Sequence, residues 1–274
     1  MKLFIKPSHP PLVITSAFDF TVCGSGHEAR DWLTPRVMCR STGFVVYNNG
    51  CRLLRRYRGD FVRQGYRIRI FDTANLKNSV KYNPFSYVKN GCGIPKLVSA
   101  IVTGTKGYGK PGDMRFHIAE TLLLTALFSY VAEETPEEER NIFSVTEMLR
   151  YMLPDEGYPC DYYDQGYKHA VDYMFEEKGK EDPLNKAVYR YNDFNWIAGA
   201  LKSKVIKSCA ARLEPFTTEE SKEFFSNDEL QMDRLCDSKI ALFVSSGKSD
   251  TLDFIVTLMY SQLFDILYEQ NANY

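Results

Sequence analysis

The feature that most restricts the fold of this chain is a strand pattern that begins near the start, stops, and returns close to the end. Gly43–Tyr47 is a short apolar run typical of a buried strand, and Tyr66–Phe71 alternates as a half-buried strand does. Between them apolar residues recur at helical spacing, and Gly65 stands where a helix C-cap is expected. The strand pattern returns at Lys239–Val244, before an apolar helix predicted over 252–268. This order predicts βαβ units and a parallel sheet, an α/β fold.

The middle of the chain has the periodicity of helices instead. Five segments carry it: Ile94–Thr103, Met114–Ala132, Phe143–Leu153, Gly166–Lys178 and Phe194–Leu213. Prolines at 111, 136, 154, 183 and 215 mark the gaps. We therefore predict the first part of an α/β domain at 1–90, an all-α insertion domain at 91–235, and a return to the α/β domain at 236–274.

Composition excludes several classes of protein. The net charge is −1 and apolar residues make up 44% of the chain, which excludes a disordered or uniformly basic chain. Charge is segregated nonetheless, with ten arginines and two aspartates over 30–70 and fifteen acidic and five basic residues over 131–185. Seven cysteines without a C-x-x-C pair indicate reduced thiols in a cytoplasmic setting rather than disulfides or zinc. The most membrane-like run, Phe116–Ala132, contains His117 and Glu120 and is better explained as a buried helix.

Two glycine-rich strings resemble phosphate-binding loops. Gly104–Lys110 has the spacing of a P-loop, but Pro111 replaces the hydroxyl residue that would hold Mg²⁺, and a helix rather than a strand precedes it. We interpret it as a flexible loop between helices.

The second string, Cys23–Arg30, has the right context, because strand-like runs at 11–22 precede it and a helix-compatible stretch follows. Gly24, Ser25, Gly26 and Arg30 are the candidate cofactor-binding residues. Glu28 stands where a phosphate-binding lysine is expected, and Ala29 stands where the hydroxyl that holds Mg²⁺ is expected. A carboxylate at the lysine position would repel a triphosphate instead of attracting it. A plain turn is the alternative interpretation.

Two basic sets are candidates for contacting a nucleic-acid backbone. The arginine cluster comprises Arg52, Arg55, Arg56, Arg58, Arg63, Arg67 and Arg69, and the second set comprises Lys202, Lys204, Lys207 and Arg212. A solvated helix face is the alternative for both. The sequence contains no recognisable catalytic constellation, and we assign no catalytic and no metal-binding residue.

Several longer strings resemble one family in combination. They are Gly65–Asp72, Lys81–Phe85, Thr103–Gly107, Gly112-Asp113, Ala119–Leu127, Ser208–Phe216, Ala241–Val244 and Met259–Phe264. Together they resemble the TraG/TraD-like coupling proteins of type IV secretion systems, the conjugal DNA-transfer ATPases, over roughly residues 20–270.

The resemblance implies a RecA-like P-loop NTPase sheet domain that carries an all-α domain active in substrate recognition. It implies ATP and Mg²⁺ as cofactors, and single-stranded DNA, relaxase and type IV secretion components as partners. It also implies a homo-hexamer at the cytoplasmic face of the bacterial membrane, with a cytoplasmic location as the alternative.

The sequence departs from the family pattern where ATP would bind. Glu28 and Ala29 replace the phosphate-loop Lys and Thr, Tyr47–Cys51 keeps only the glycine of an acidic string, and the chain stops at Tyr274, before the Walker B strand. We therefore expect a hydrolysis-deficient coupling-protein homologue that recruits or transfers single-stranded DNA and relaxase. An active DNA-transfer ATPase completed by partner subunits, and a structural adaptor or vestigial fragment without DNA binding, are the alternatives.

Overall fold

The computed structural model of the chain describes residues 12–15, 20–22, 43–47, 52–88, 93–153, 168–235, 239–246 and 252–272. The chain divides into two compact units. The first, here the sheet unit, comprises residues 1–81 and 229–274, and the second, the helical unit, comprises residues 82–228.

The sheet unit contains five strands among its described residues: β1 (Leu12–Thr15), β2 (Phe20–Val22), β3 (Phe44–Tyr47), β4 (Arg67–Asp72) and β5 (Ile240–Ser245). They lie in the order β2-β1-β3-β5-β4. Strand β5 is parallel to both β3 and β4, which confirms the parallel sheet predicted for these three. Every residue of β5 is buried, as expected of a central strand with both faces covered.

The parallel arrangement does not extend to the first two strands. β1 is antiparallel to β2 and to β3, with Val13 opposite Thr21 on one side and Val46 on the other. Only four residues separate β1 from β2. A connection this short permits a hairpin, whereas a parallel crossover needs a dozen residues or more. The sheet is therefore mixed.

Helix α1 (Arg52–Arg63) packs on one face of the parallel strands. Leu54 and Phe61, seven residues apart, are both buried. The ring of Phe61 lies 5.4 Å from that of Phe44 on β3 and 5.6 Å from that of Phe243 on β5. Burial of one such aromatic side chain stabilises a fold by about 1.5–3 kcal/mol. Arg55, Arg56, Arg58 and Arg63 of α1 are exposed, on the side of the helix away from this core.

Gly65 ends α1 as the sequence predicts. Its φ is +81°, its N–H donates to the carbonyl of Val62, and the N–H of Tyr66 donates to that of Phe61. This pair of hydrogen bonds is the Schellman motif, which turns the chain directly into β4. The last helix of the unit, α9 (Asp253–Ala272), follows β5, and its residues Ile255, Met259 and Leu263 are buried.

The helical unit contains seven α-helices among its described residues: α2 (Gly93–Gly104), α3 (Met114–Glu134), α4 (Ile142–Met152), α5 (Ala170–Glu181), α6 (Lys186–Ala198), α7 (Lys202–Leu213) and α8 (Glu219–Ser226). Side chains of Asp113, Asn141, His169, Asn185 and Thr218 accept hydrogen bonds from backbone N–H groups at helix starts. Helix α3 is the centre of the unit, with Leu123, Leu127 and Phe128 fully buried. Within the described part of the chain, no helix is long and apolar enough to cross a membrane.

The predicted helix over Phe194–Leu213 is wrong as a single element. Two helices, α6 and α7, occupy this region, and α6 begins at Lys186. They meet at Gly199, whose φ of +48° and ψ of −127° are incompatible with a continuing helix. Apolar periodicity continues across the break because both helices face the same core. Helix α8 was not predicted.

Candidate functional site

The residues predicted to form a phosphate loop, Gly24, Ser25, Gly26 and Arg30, lie outside the described residues, as do Glu28 and Ala29. They stay predictions. The other glycine-rich string, Gly104–Lys110, connects α2 to α3. The helix predicted before it is confirmed. This is the wrong context for a P-loop, which follows a strand.

The connection between α2 and α3 covers a buried ion pair. Glu120 on α3 is 0% exposed and Arg212 on α7 is 4% exposed. Arg212 Nε donates to Glu120 Oε1 at 3.0 Å and Arg212 Nη2 donates to Oε2 at 2.9 Å. Ser208, one turn earlier on α7, donates its hydroxyl to Oε1 at 2.5 Å. The carboxylate is thus held by a bidentate guanidinium and a hydroxyl, the geometry in which a buried charge is tolerated.

Opposing effects set the pKa of Glu120. Burial raises it, but the hydrogen bonds from Arg212 and Ser208 and the guanidinium charge outweigh burial and hold it below its usual value. His117 Nδ1 lies 3.3 Å from Glu120 Oε2, on the half-exposed side of the cluster. Glu120 is therefore ionised at neutral pH.

Arg212 also fixes the chain between the two helices. Its Nη1 donates to the carbonyl oxygens of Val102 at 2.9 Å and Thr105 at 2.6 Å, so it caps the end of α2. Farther along, the N–H of Tyr108 donates to Ser208 Oγ at 2.6 Å. The prediction of a flexible loop is thus corrected at these positions, because a buried polar cluster anchors the backbone.

Glycine is required at 107 by this close approach. A Cβ atom there would lie 2.5 Å from Glu120 Oε1 and 2.6 Å from both Arg212 Nε and Ser208 Oγ. One buried cluster thus joins three of the strings that carry the family resemblance: Thr103–Gly107, Ala119–Leu127 and Ser208–Phe216. No sequence motif signalled it, because Glu120 and Arg212 are 92 residues apart.

The predicted arginine cluster divides into two parts. Five members are exposed: Arg55, Arg56, Arg58, Arg63 and Arg67. Arg63 also pairs with Asp60 on its own helix. The side chain of Arg52 is outside the described set. Arg69 instead turns inward, where it donates to the carbonyl oxygens of Glu229 and Leu230 and to Gln231 Oε1.

The second predicted basic set does not form a continuous surface. Arg212 is buried against Glu120, and Lys202 Nζ lies 3.0 Å from Asp172 Oδ1 with the lysine side chain mostly covered. Lys204 is exposed, and Lys207 is half-buried. Helical spacing predicts which residues share a face, but here the tertiary packing turns that face partly inward.

Lys202 belongs to a second buried polar cluster that the sequence did not reveal. Asp172 accepts hydrogen bonds from Tyr191 Oη at 2.8 Å and from the backbone N–H of His169 at 3.1 Å. His169 is the N-cap of α5 and forms a capping box with Asp172. Burial lowers the pKa of His169 to about 4. The positive charge of Lys202 also lowers this pKa, and the negative charge of Asp172 partly opposes the shift. The spacing H-x-x-D before a helix was the available signal.

The chain matches one protein family over most of its length. The family described as type IV secretory system conjugative DNA transfer matches residues 62–274, a segment that includes β4, the whole helical unit and the return to the sheet through β5 and α9. Among curated proteins, none matches the chain. The match supports the predicted role in type IV secretion and conjugation, with DNA and secretion components involved. As the resemblance to TraG/TraD-like coupling proteins predicted, the chain belongs to the type IV secretory system conjugative DNA transfer family.

Proposed function

We propose that this protein recruits or hands over single-stranded DNA and its bound relaxase in conjugation, as a coupling-protein homologue that does not itself hydrolyse ATP. The family match over residues 62–274 carries the proposal, because it spans the helical unit and part of the sheet unit. In this proposal the sheet unit is the RecA-like part, and the chain acts at the cytoplasmic face of the membrane, in a homo-oligomer.

The exposed arginines of α1 support a contact with DNA. Arg55, Arg56 and Arg58 lie on the solvent side of the helix, away from the Leu54 and Phe61 core. A guanidinium binds phosphate through planar, bidentate hydrogen bonds, which a nucleic-acid backbone offers in any sequence. A surface of this kind gives sequence-independent affinity that weakens steeply with salt.

The proposed lack of hydrolysis rests on Glu28 and Ala29. A carboxylate in place of the phosphate-loop lysine repels the triphosphate, and an alanine offers no hydroxyl to Mg²⁺. Gly24, Ser25, Gly26 and Arg30 remain the candidate contacts to a nucleotide. The chemistry of residues 28 and 29 does not fit ATP and Mg²⁺, so no hydrolytic step is derived for this chain.

Binding of a fluorescein-labelled single-stranded DNA 20-mer, followed by anisotropy between 50 and 200 mM NaCl, tests the DNA contact. We expect binding at low salt. We also expect the double variant Arg55→Gln/Arg58→Gln to reduce the slope of log K against log salt by about 1.4, since each phosphate contact contributes about 0.7 on a single strand. Lys180→Gln/Lys186→Gln removes two exposed charges of the helical unit and serves as the matched control. Absence of binding by the wild-type chain at 50 mM NaCl would overturn the proposal.

Titration with a fluorescent ATP analogue and Mg²⁺ tests the nucleotide part separately. We expect no saturable binding below millimolar concentration by the wild-type chain, and a gain of binding in Glu28→Lys/Ala29→Thr. Micromolar binding by the wild-type chain would favour the active ATPase, and turnover on mixing with a full-length homologue would establish it.

A further inference from the structure

Helix α3 carries opposite charges at its two ends. The basic end comprises exposed residues of its first turns and of the loop before them: Lys106, Tyr108, Lys110, Met114, Arg115 and Ile118. The loop lies on α3, because a Cβ atom at Gly109 would come within 2.9 Å of the ring of Phe116 and 3.1 Å of that of His117. Tyr108 is 66% exposed, Met114 72% and Ile118 42%, so apolar side chains accompany the cations. An exposed combination of this kind marks a site of interaction.

The acidic end lies where α3 finishes. Its exposed residues come from the end of α3, from the turn after it, and from the turn that joins α5 to α6: Glu133, Glu137, Glu138, Glu139, Glu181, Asp182 and Leu184. Glu134 connects these segments, because Lys178 Nζ lies 2.6 Å from its Oε2 and Asn185 Nδ2 donates to its Oε1 at 3.1 Å. Leu184 is 83% exposed, so this end also combines charge with an apolar side chain.

Each end keeps its sign when the opposing charges of the same segments are counted. At the basic end the three cations are opposed by Asp113, whose side chain accepts the hydrogen bond from the N–H of Phe116 as the N-cap of α3. At the acidic end the six exposed carboxylates and Glu134 outnumber four cations: Arg140, Lys178, Lys180 and Lys186. The two ends are therefore complementary in charge.

These charges oppose the dipole of α3. A helix is stabilised by acidic residues near its start and by basic residues near its end. The first turn of α3 instead contains Arg115 and no acidic residue, and the last turn contains Glu133 and Glu134 and no basic residue. Helix stability therefore does not account for this distribution. The peptide dipole adds to it, since it makes the basic end more positive and the acidic end more negative.

We propose that the basic end of α3 in one molecule binds the acidic end of α3 in a second copy of this chain. The two ends cannot meet within one molecule, because the 21 residues of the helix hold them about 30 Å apart. In the contact, Leu184 of one copy packs against Met114 and Ile118 of the next, and the surrounding carboxylates face Lys110 and Arg115. Complementary charge of this kind selects the partner and fixes its orientation.

The proposed contact is heterologous, since each copy uses a different surface from the one its neighbour uses. Each bound pair therefore keeps one basic end and one acidic end for further copies. Repetition of such a contact gives a ring if the rotation closes and a filament if it does not. The inference deepens the homo-oligomer of the proposed function and rests on that part of it alone, because the contact needs neither DNA nor relaxase.

Sedimentation velocity of the full chain at 50 and 500 mM NaCl tests the contact. We expect association that depends on protein concentration at 50 mM and is about tenfold or more weaker at 500 mM, because salt screens exposed charges. At 50 mM, Lys110→Glu/Arg115→Glu and, separately, Glu137→Lys/Glu138→Lys should each raise the Kd by about tenfold or more, since attractive pairs become repulsive. Glu219→Lys/Glu223→Lys reverses two exposed charges of α8, outside both ends, and should associate as the wild type does.

A mixture of the two reversed variants provides a measurement that misfolding cannot imitate. Lys110→Glu/Arg115→Glu makes both ends of α3 acidic, and Glu137→Lys/Glu138→Lys makes both ends basic. Neither variant should associate with itself through α3. Their equimolar mixture should associate at concentrations at which each variant alone is a monomer, because opposite ends then meet again. A mixture that stays monomeric would overturn the inference.

The two proposals fail in different ways. If the wild-type chain associates but binds no DNA at 50 mM NaCl, the DNA contact fails and the inference stands. If it binds DNA but stays a monomer at both salt concentrations, the homo-oligomer and the inference fail, and the DNA contact stands. If it associates and the reversed variants associate as tightly as the α8 control, the copies meet through another surface, and only the inference is overturned.

Discussion

Arg212 holds Glu120 by two parallel hydrogen bonds, Nε to Oε1 at 3.0 Å and Nη2 to Oε2 at 2.9 Å, in the interior of the helical unit. The pair joins α3 to α7, and through the carbonyls of Val102 and Thr105 it also joins α2. A single buried guanidinium thus fixes three helices and the loop between two of them. This explains why distant strings of the sequence meet at one point.

Breaking this pair should destabilise the protein strongly. In Glu120→Gln the guanidinium of Arg212 stays buried without its counter-charge, and we expect the free energy of unfolding to fall by about 3 kcal/mol. Glu147→Gln breaks a largely exposed pair, Arg150 to Glu147 at 2.7 Å, and should cost less than about 1 kcal/mol. Urea denaturation followed by circular dichroism measures both. Equal losses in the two variants would contradict the role given to Glu120.

A double variant separates the charge from the packing. In Glu120→Leu/Arg212→Met no buried charge remains, so the loss of stability should be smaller than the sum of the two single changes. Additive losses would mean that Glu120 and Arg212 do not interact as the structure shows.

Two glycines should respond to alanine with opposite signs. Gly107→Ala places a Cβ against the atoms of the buried pair, and overpacking of this kind costs about 1–3 kcal/mol. Gly59, within α1, has nothing within 4 Å of the added Cβ, so Gly59→Ala should stabilise the protein by about 0.5–1 kcal/mol through helix propensity. Shifts of the urea midpoint at constant m-value measure both effects. A tolerated Gly107→Ala would show that the loop does not lie against the pair.

Stability should fall as the pH drops through the range in which His169 titrates. Its pKa is lowered from 6.5 to about 4 in the folded protein, so between these values the unfolded chain binds a proton that the folded chain does not. The lowered pKa of His169 therefore contributes fully to the free energy of unfolding above pH 6.5. This contribution, about 3 kcal/mol at most, is lost as the pH falls from 6.5 to 4. The pKa of Asp172 is also lowered in the folded protein, so protonation of its carboxylate at lower pH reduces the stability further.

The variant His169→Asn isolates this effect. Asparagine keeps an N-cap acceptor for α5 but does not titrate. Unfolding free energies at pH 7, 5.5 and 4.5 should therefore fall less steeply in the variant than in the wild type. Parallel pH profiles would assign the acid sensitivity to other groups.

The two lysines of α7 should differ in spite of their spacing. Lys202→Met leaves Asp172 buried with Tyr191 and backbone N–H partners but without its cation, and we expect a loss of about 1–3 kcal/mol. Lys204 is exposed, so Lys204→Met should change the unfolding free energy by less than about 0.5 kcal/mol. Thermal denaturation at pH 7 compares them. Equal stability of the two variants would instead support the alternative interpretation that both lysines lie on a solvated helix face.

Local features of this protein were determined by the sequence alone. The period of apolar residues gave α1 and the parallel strands β3, β4 and β5, and Gly65 ends α1 because its φ of +81° suits glycine. These features depend on neighbours within a few residues, and such short-range preferences are visible in the order of residues itself. The family strings are equally local, and the match over residues 62–274 agrees with them.

The tertiary structure decided the partners of charged groups and the limits of continuous patterns. Lys202, Lys204 and Arg212 lie on one helix but have different surroundings. Lys202 pairs with Asp172, Arg212 pairs with Glu120, and Lys204 is exposed to solvent. Helical spacing cannot predict this outcome, because the free energy of a charged side chain depends on what packs around it from 30 to 92 residues away in the chain. The break at Gly199 and the antiparallel direction of β1 were not predicted for the same reason. The apolar pattern at each place correctly indicates a helix or a strand, but only the tertiary packing decides where the helix breaks and in which direction the strand pairs.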